Sequence, residues 1–186
     1  MEADWEFEVG GNAPIIDACW TGFVDLQRTP EAAWNFPETA EFPALAEALA
    51  KLNAPASPAW TSKCDFWPSL TAEEFDADEL DAPPGSSAHA MGCYIDLLPK
   101  KSMQQEQAAA DCKRLCGLLR GVPLRCCRAD LVIRRAFITA GVADLGVTAY
   151  LTSCGTSSAA AALTLRDALM ALTDSVKCVR RESTIE

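Results

Sequence analysis

The chain has 186 residues, of which 49% are hydrophobic and 23% charged, with a net charge of −10 and a pI near 4.6. That composition excludes wholesale disorder, and the length allows one domain whose core needs no disulfide or metal staple. No apolar run approaches the roughly 20 residues a bilayer crossing requires, and Met1-Glu2-Ala3-Asp4-Trp5-Glu6 has neither a basic nor an apolar targeting segment, so a cytoplasmic protein is expected.

Residues 1–15 read as polar and aromatic, ending in a turn at Gly10-Gly11-Asn12. Ile15 to Leu26 reads as a strand with Trp20, Gly22, Val24 and Leu26 on one face, and residues 28–38 as a loop around Pro30 and Pro37. Phe42, Leu45, Leu49 and Leu52 recur at helical spacing, which predicts a helix over 41–52 that begins at Pro43 and ends at Asn53-Ala54-Pro55. Ala59 to Trp67 reads as a strand, with Trp60, Ser62, Cys64 and Phe66 on one face and Thr61, Lys63, Asp65 and Trp67 on the other. Residues 68–88 are irregular and acidic, a solvated loop and the seam between two halves, with Thr71 and Glu74 placed to cap a short turn.

Ala90 to Leu98 reads as a strand, and Ser102 to Arg120 as a helix with Gln105 in capping-box position and an apolar stripe of Ala108, Cys112, Leu115, Leu119 and Val122. Leu124 to Ile138 is a long basic strand, Gly141 turns the chain, and Leu145 to Thr152 alternates as the strand that follows. Ser157 or Ser158 caps a last helix built on Leu165, Leu169, Leu172 and Val176, and residues 177–181 add a short edge strand or fray.

Phe23-Val24-Asp25-Leu26 is echoed by Tyr94-Ile95-Asp96-Leu97, each followed by an amphipathic helix and a strand, carrying Lys63-Cys64-Asp65 and Arg128-Ala129-Asp130 respectively. The expected fold is therefore a single α+β domain: an antiparallel or mixed sheet with about three helices on one face. It is built from two βαβ-like pseudo-repeats plus a C-terminal β-hairpin and helix.

Charge is unevenly placed. Residues 1–99 hold 3 basic and 18 acidic side chains, and residues 100–186 hold 13 and 8. Packing of the acidic half beside the basic half accounts for this. A nucleic-acid surface would need a motif or interleaved aromatics around Arg120, Arg125, Arg128, Arg134 and Arg135, and neither is present, so no nucleic-acid partner is expected. Opposite half-charges and an exposed sheet predict a homodimer.

Nine cysteines without a CxxC read as reduced, buried hydrophobes, and Cys112-x3-Cys116 is not a zinc spacing. With His89 the only histidine, no metal and no cofactor are expected. Ser153-Cys154-Gly155-Thr156-Ser157 before a helix is a weak anion loop without Lys.

If the helices cover one sheet face, the other presents Lys63, Asp65, Tyr94, Asp96, Arg128, Asp130 and Tyr150, together with Thr148 and Thr152. These seven are the candidate binding residues. The sequence resembles no characterised family and carries no nucleophile elbow, P-loop, dinucleotide fingerprint or HExxH. The expected function is a binding or interaction module for a small molecule or protein, using this polar face. A metal-independent enzyme working through its carboxylates is an alternative, and an acidic partner that masks a basic target is a second.

Overall fold

The computed structural model describes residues 1–18, 20–139 and 142–179. The elements are β1 (Glu2–Glu8), β2 (Ile15–Asp17), a 3-10 turn (Pro30–Asn35), α1 (Pro37–Glu41), α2 (Pro43–Asn53), β3 (Ala59–Trp67), β4 (His89–Pro99), α3 (Gln105–Arg120), β5 (Cys127–Thr139), β6 (Val142–Gly155) and α4 (Ser158–Val179). The fold is α+β, a mixed six-stranded sheet in the order β1-β5-β6-β4-β3 with β2 continuing β1 along the same edge of β5. β1 and β2 pair with β5 in parallel, and the other pairings are antiparallel.

The apolar stripes of the helices meet one sheet face. Leu45, Leu49 and Leu52 of α2, Leu115 and Leu119 of α3, and Leu165, Leu169 and Leu172 of α4 are buried against Ile95, Leu131, Ile133 and Leu151. Cys112 and Cys116 belong to this core, and burial pushes their thiols up to about 12 and about 11. Neutral thiols in an apolar layer act as small hydrophobes. Ser157 Oγ accepts the Ala160 N–H at 3.2 Å and so caps α4.

Several sequence expectations are corrected. Residues 2–8 form a strand, because Ala3 packs in the core while the alternating acids of β1 face outward. The strand expected over 15–26 stops at Asp17. Beyond it Asp25 organises a turn, accepting the Gln27 N–H on Oδ1 and the Thr29 hydroxyl on its carbonyl. The 28–38 loop holds the 3-10 turn and the start of α1. α3 begins at Gln105 with no side-chain cap, so the Ser102 capping box does not form. Lys177–Val179 finish α4 and are not an edge strand. Gly141 and the tail from residue 180 lie outside the described residues.

The acidic 73–81 segment is less free than its composition implies. Leu80 is buried with Ala90 and Cys154, and Asp81 and Glu79 pair with Arg125 and Arg128.

The echoed halves share element order, not strand sense. β4 and β5 run the same way on either side of β6, whereas β2 and β3 run oppositely. Asp25 sits in a turn, and its echo partner Asp96 lies within β4.

A bulge in β3 changes which side chains face where. Pairing with β4 shifts between Thr61 and Cys64. Trp60 therefore joins the open face, and Thr61 points to the helix side, where Asn53 holds it through both its N–H and its hydroxyl. The strict alternation expected for 59–67 holds only after the bulge.

The sheet also curls until its two edges meet at one end. Ser62 Oγ donates to the Asp17 carbonyl at 3.3 Å, and Ile16, Ala18, Trp60, Leu98 and Ala136 form a second small core on the open side. Gly146 makes this closure possible: a Cβ there would stand 2.8 Å from Ile16 Cδ1, 2.9 Å from Leu98 Cδ2 and 3.0 Å from the Leu97 carbonyl oxygen. Gly146→Ala is expected to lower stability by about 1–3 kcal/mol through overpacking, measured by urea unfolding. An unchanged midpoint would show that the closed end relaxes freely.

Candidate functional site

The cross-strand register turns the open face into a grid. One row runs Asp4, Asp130, Tyr150, Tyr94, Asp65 across β1, β5, β6, β4 and β3, and the next runs Glu6, Val132, Thr148, Asp96. The row on the far side of the tyrosines runs Glu2, Arg128, Thr152, Gly92, Trp67. Gly92 lets the Trp67 ring lie down over the sheet, since a Cβ at 92 would meet the ring at 3.2 Å.

Curling makes part of this grid concave. A hollow of about 280 Å³ is lined by Pro14, Ile15 and Ile16 of the β2 segment, together with Lys63, Trp67, Tyr94, Asp96, Arg134, Thr148 and Tyr150. Trp67, Tyr94 and Tyr150 form a row of tilted rings with neighbouring centroids 5.8 Å apart.

Four of the seven expected residues, Lys63, Tyr94, Asp96 and Tyr150, line this hollow. Asp65, Arg128 and Asp130 do not join them. Asp65 and Asp130 stand in one row on β3 and β5, three strand spacings or roughly 14 Å apart. Arg128 donates to Asp130 at 2.7 Å and pairs with Glu79 at 3.1 Å, in a separate polar cluster beside Asp4. The three aspartates therefore do not converge.

Glu8, Arg134 and Trp67 were missing from the candidate set. Arg134 was legible only as one basic residue among several, and Glu8 could not be placed without the parallel β1–β5 pairing.

The polar groups of the hollow are ordered by one donor. Arg134 Nε and Nη2 donate to Glu8 Oε2, and Nη1 donates to Thr148 Oγ1 at 3.1 Å and to the Tyr150 hydroxyl at 3.0 Å. A guanidinium cannot accept, so both hydroxyls are acceptors there and keep their own hydrogen for another partner. Thr148 gives its hydrogen to Asp96 Oδ1 at 2.6 Å. Tyr150 has its hydrogen left for the hollow.

Asp96 is 6% exposed and Thr148 is fully buried. Among the described residues Asp96 makes no ion pair, and its second carboxyl oxygen has no hydrogen-bond partner. Burial raises the Asp96 carboxyl above its ordinary value, and the Thr148 hydroxyl, Arg134 and Lys63 pull it back only in part. Burial and the neighbouring acids push the Tyr94 hydroxyl up to about 12, so it stays protonated as a donor. The Lys63 ammonium stands 5.4 Å from the Trp20 ring centroid and makes no ion pair among the described residues.

A second hollow of about 370 Å³ lies beyond Lys63, lined by Trp20, Val24, Leu26, Phe36, Leu49 and the β3 bulge, and it shares Lys63 and Tyr94 with the first. Among the described residues no three His, Cys, Asp or Glu side chains are grouped as metal ligands. None of the described helices is long and apolar enough to cross a membrane. No family model, no curated protein and no solved structure matches the chain.

The raised Asp96 carboxyl fixes a sign. The folded chain holds this proton more tightly than the unfolded chain, so the group favours folding below about pH 4. That contribution is lost as pH rises from there through the folded value. Asp96→Asn is expected to match or exceed wild type at pH 7, by about 1 kcal/mol, with the gap closing on acidification toward pH 4, measured by urea unfolding across that range. A wild-type advantage that grows with pH would show an Asp96 carboxylate stabilised in the fold.

Removing the bridge acts the other way. Thr148→Val leaves Asp96 Oδ1 without its donor in a buried place, and the same unfolding measurement should show a loss of about 1–3 kcal/mol at neutral pH. A neutral substitution would mean that water replaces the hydroxyl.

Proposed function

We propose that the protein binds a small molecule in the hollow at the curled end of its open sheet face. The observation that carries this reading is Asp96: a carboxyl nine-tenths buried, without a direct ion pair among the described residues, in a concavity lined by three aromatic rings. Such a group costs stability where it stands, and sites of this kind combine apolar walls with a few fixed polar groups. The volume falls near the lower end for ligand pockets, which favours a small, compact ligand over a protein segment.

A second reading, as a metal-independent enzyme, draws on the same carboxyl. A desolvated acid beside a tyrosine hydroxyl polarised by Arg134 is equipped to move a proton to or from a bound substrate. Binding comes first in either case.

The charge asymmetry gives less support to a masking or dimerising role. Arg120–Asp4, Arg125–Asp81, Arg128–Glu79 and Arg134–Glu8 each join the basic half to the acidic half within one chain.

A fragment screen by ligand-observed NMR tests the reading. Compounds that bind wild type should lose affinity at least tenfold in an Asp96→Asn, Tyr150→Phe double variant that keeps the wild-type circular dichroism spectrum. They should be unaffected when Glu73, Glu74, Asp76 and Asp78 are changed to amides. Loss confined to the loop variant would place the site at the acidic segment.

A further inference from the structure

Resting on the binding reading above, we propose that the ligand of this hollow is a zwitterion: a small molecule with an ammonium and a carboxylate close together on a flat apolar group, as in an aromatic α-amino acid. The hollow is lined by one carboxyl and one lysine, neither of them in a direct ion pair among the described residues, and Lys63 offsets the Asp96 charge only in part. Asp96 offers its second oxygen, and the Lys63 amino group rests against Trp20 without an anion. The third charged side chain that lines it is already matched. Arg134 is bound by two of its nitrogens to Glu8, and its third goes to Thr148 and Tyr150.

A purely anionic ligand would leave Asp96 buried beside a like charge. A purely cationic one would pair with Asp96 but leave Lys63 without an anion. A zwitterion satisfies both, with the ammonium on Asp96 and the carboxylate on Lys63 and the free Tyr150 O–H. Lys63 and Asp96 sit on neighbouring strands, β3 and β4, where the bulge breaks the pairing. Both residues therefore line the hollow from adjoining strands, where one short ligand carrying both charges meets each of them. Trp67, Tyr94 and Tyr150 supply ring surface for the remainder, and an ammonium beside such rings gains further from their faces.

Calorimetric titration of the full chain with L-phenylalanine, phenethylamine and 3-phenylpropanoate separates the possibilities. Expected is L-phenylalanine binding at least tenfold tighter than either single-charge analogue. Asp96→Asn should remove its advantage over phenylpropanoate, Lys63→Met its advantage over phenethylamine, and Trp67→Ala should weaken all three. If Asp96→Asn fails to fold, the Lys63→Met and Trp67→Ala arms still decide. Phenethylamine or phenylpropanoate binding as tightly as the amino acid, with Trp67→Ala still harmful, overturns the zwitterion and leaves the site standing. Binding of none of the three, while screened fragments depend on Asp96 and Tyr150, does the same. Binding of all three that ignores Trp67→Ala overturns the site as well.

Discussion

Arg134 can only donate, and the arrangement of the open face follows from where four of its N–H groups go. Glu8 takes two of them from the edge strand, which ties β1 to β5 by side chains as well as by the parallel ladder. Thr148 and Tyr150 take the inner side, and each hydroxyl is thereby forced to spend its hydrogen elsewhere. For Thr148 that leaves Asp96 alone, and for Tyr150 it leaves the hollow. A lysine at 134 could neutralise Glu8 but has no planar fork to hold three partners in fixed directions. The position is one where Arg and Lys are not interchangeable.

Charge that looks lopsided along the sequence is largely matched in space. Four ion pairs link residues before 99 to residues after 100, and all four sit on the open side or its rim. The exposed pairs add little stability, since such bridges are worth at most about 1 kcal/mol each. Their consequence is electrostatic: four of the five arginines that made the second half look like an anion-binding surface, Arg120, Arg125, Arg128 and Arg134, are paired with carboxylates from the first. Lys63 and Asp96 stand out against that background because each lacks such a partner among the described residues.

The helical layer was legible because the apolar period is strong there, even where the expected Ser102 capping box does not form. The stripes of α2, α3 and α4 fall on the residues that are buried, and Pro43 and Ser157 mark helix starts as their chemistry requires, while Gly121 ends α3 in a right-handed conformation. The open face was legible in outline, since alternation puts Tyr94, Asp96, Thr148 and Tyr150 on one side. Three things were not. The parallel pairing of β1 depends on a partner more than a hundred residues away, and its outward Glu and Asp side chains mimic a solvated tail. The bulge at 62–63 reverses the parity of Trp60 and Thr61, and no residue there is a Gly or Pro that would announce it. Alternating Trp20, Gly22, Val24 and Leu26 imitates a strand, yet Asp25 bends the chain with its own side chain. The same gap explains the site. Tyr94, Asp96 and Tyr150 lie on the adjoining strands β4 and β6 and share the hollow, while Asp65 and Asp130 could be separated only once the strand order was known.

The hollow owes its size to backbone more than to rotamers. Gly146 admits Ile16 and Leu98 at one end, and Gly92 admits the Trp67 ring at the other. Between them the walls are strands whose spacing the ladder fixes, so the Asp96 and Tyr150 groups cannot drift apart to relax an unpaired charge. A loop site could have turned such a carboxyl out to water. Here β4 is an inner strand, paired with β6 at Asp96 itself and with β3 on either side of the bulge, and turning Asp96 outward would require breaking that pairing. The unfavourable burial is thus retained by the sheet itself, which is how a rigid fold keeps a polar group ready for a ligand that supplies the missing charge.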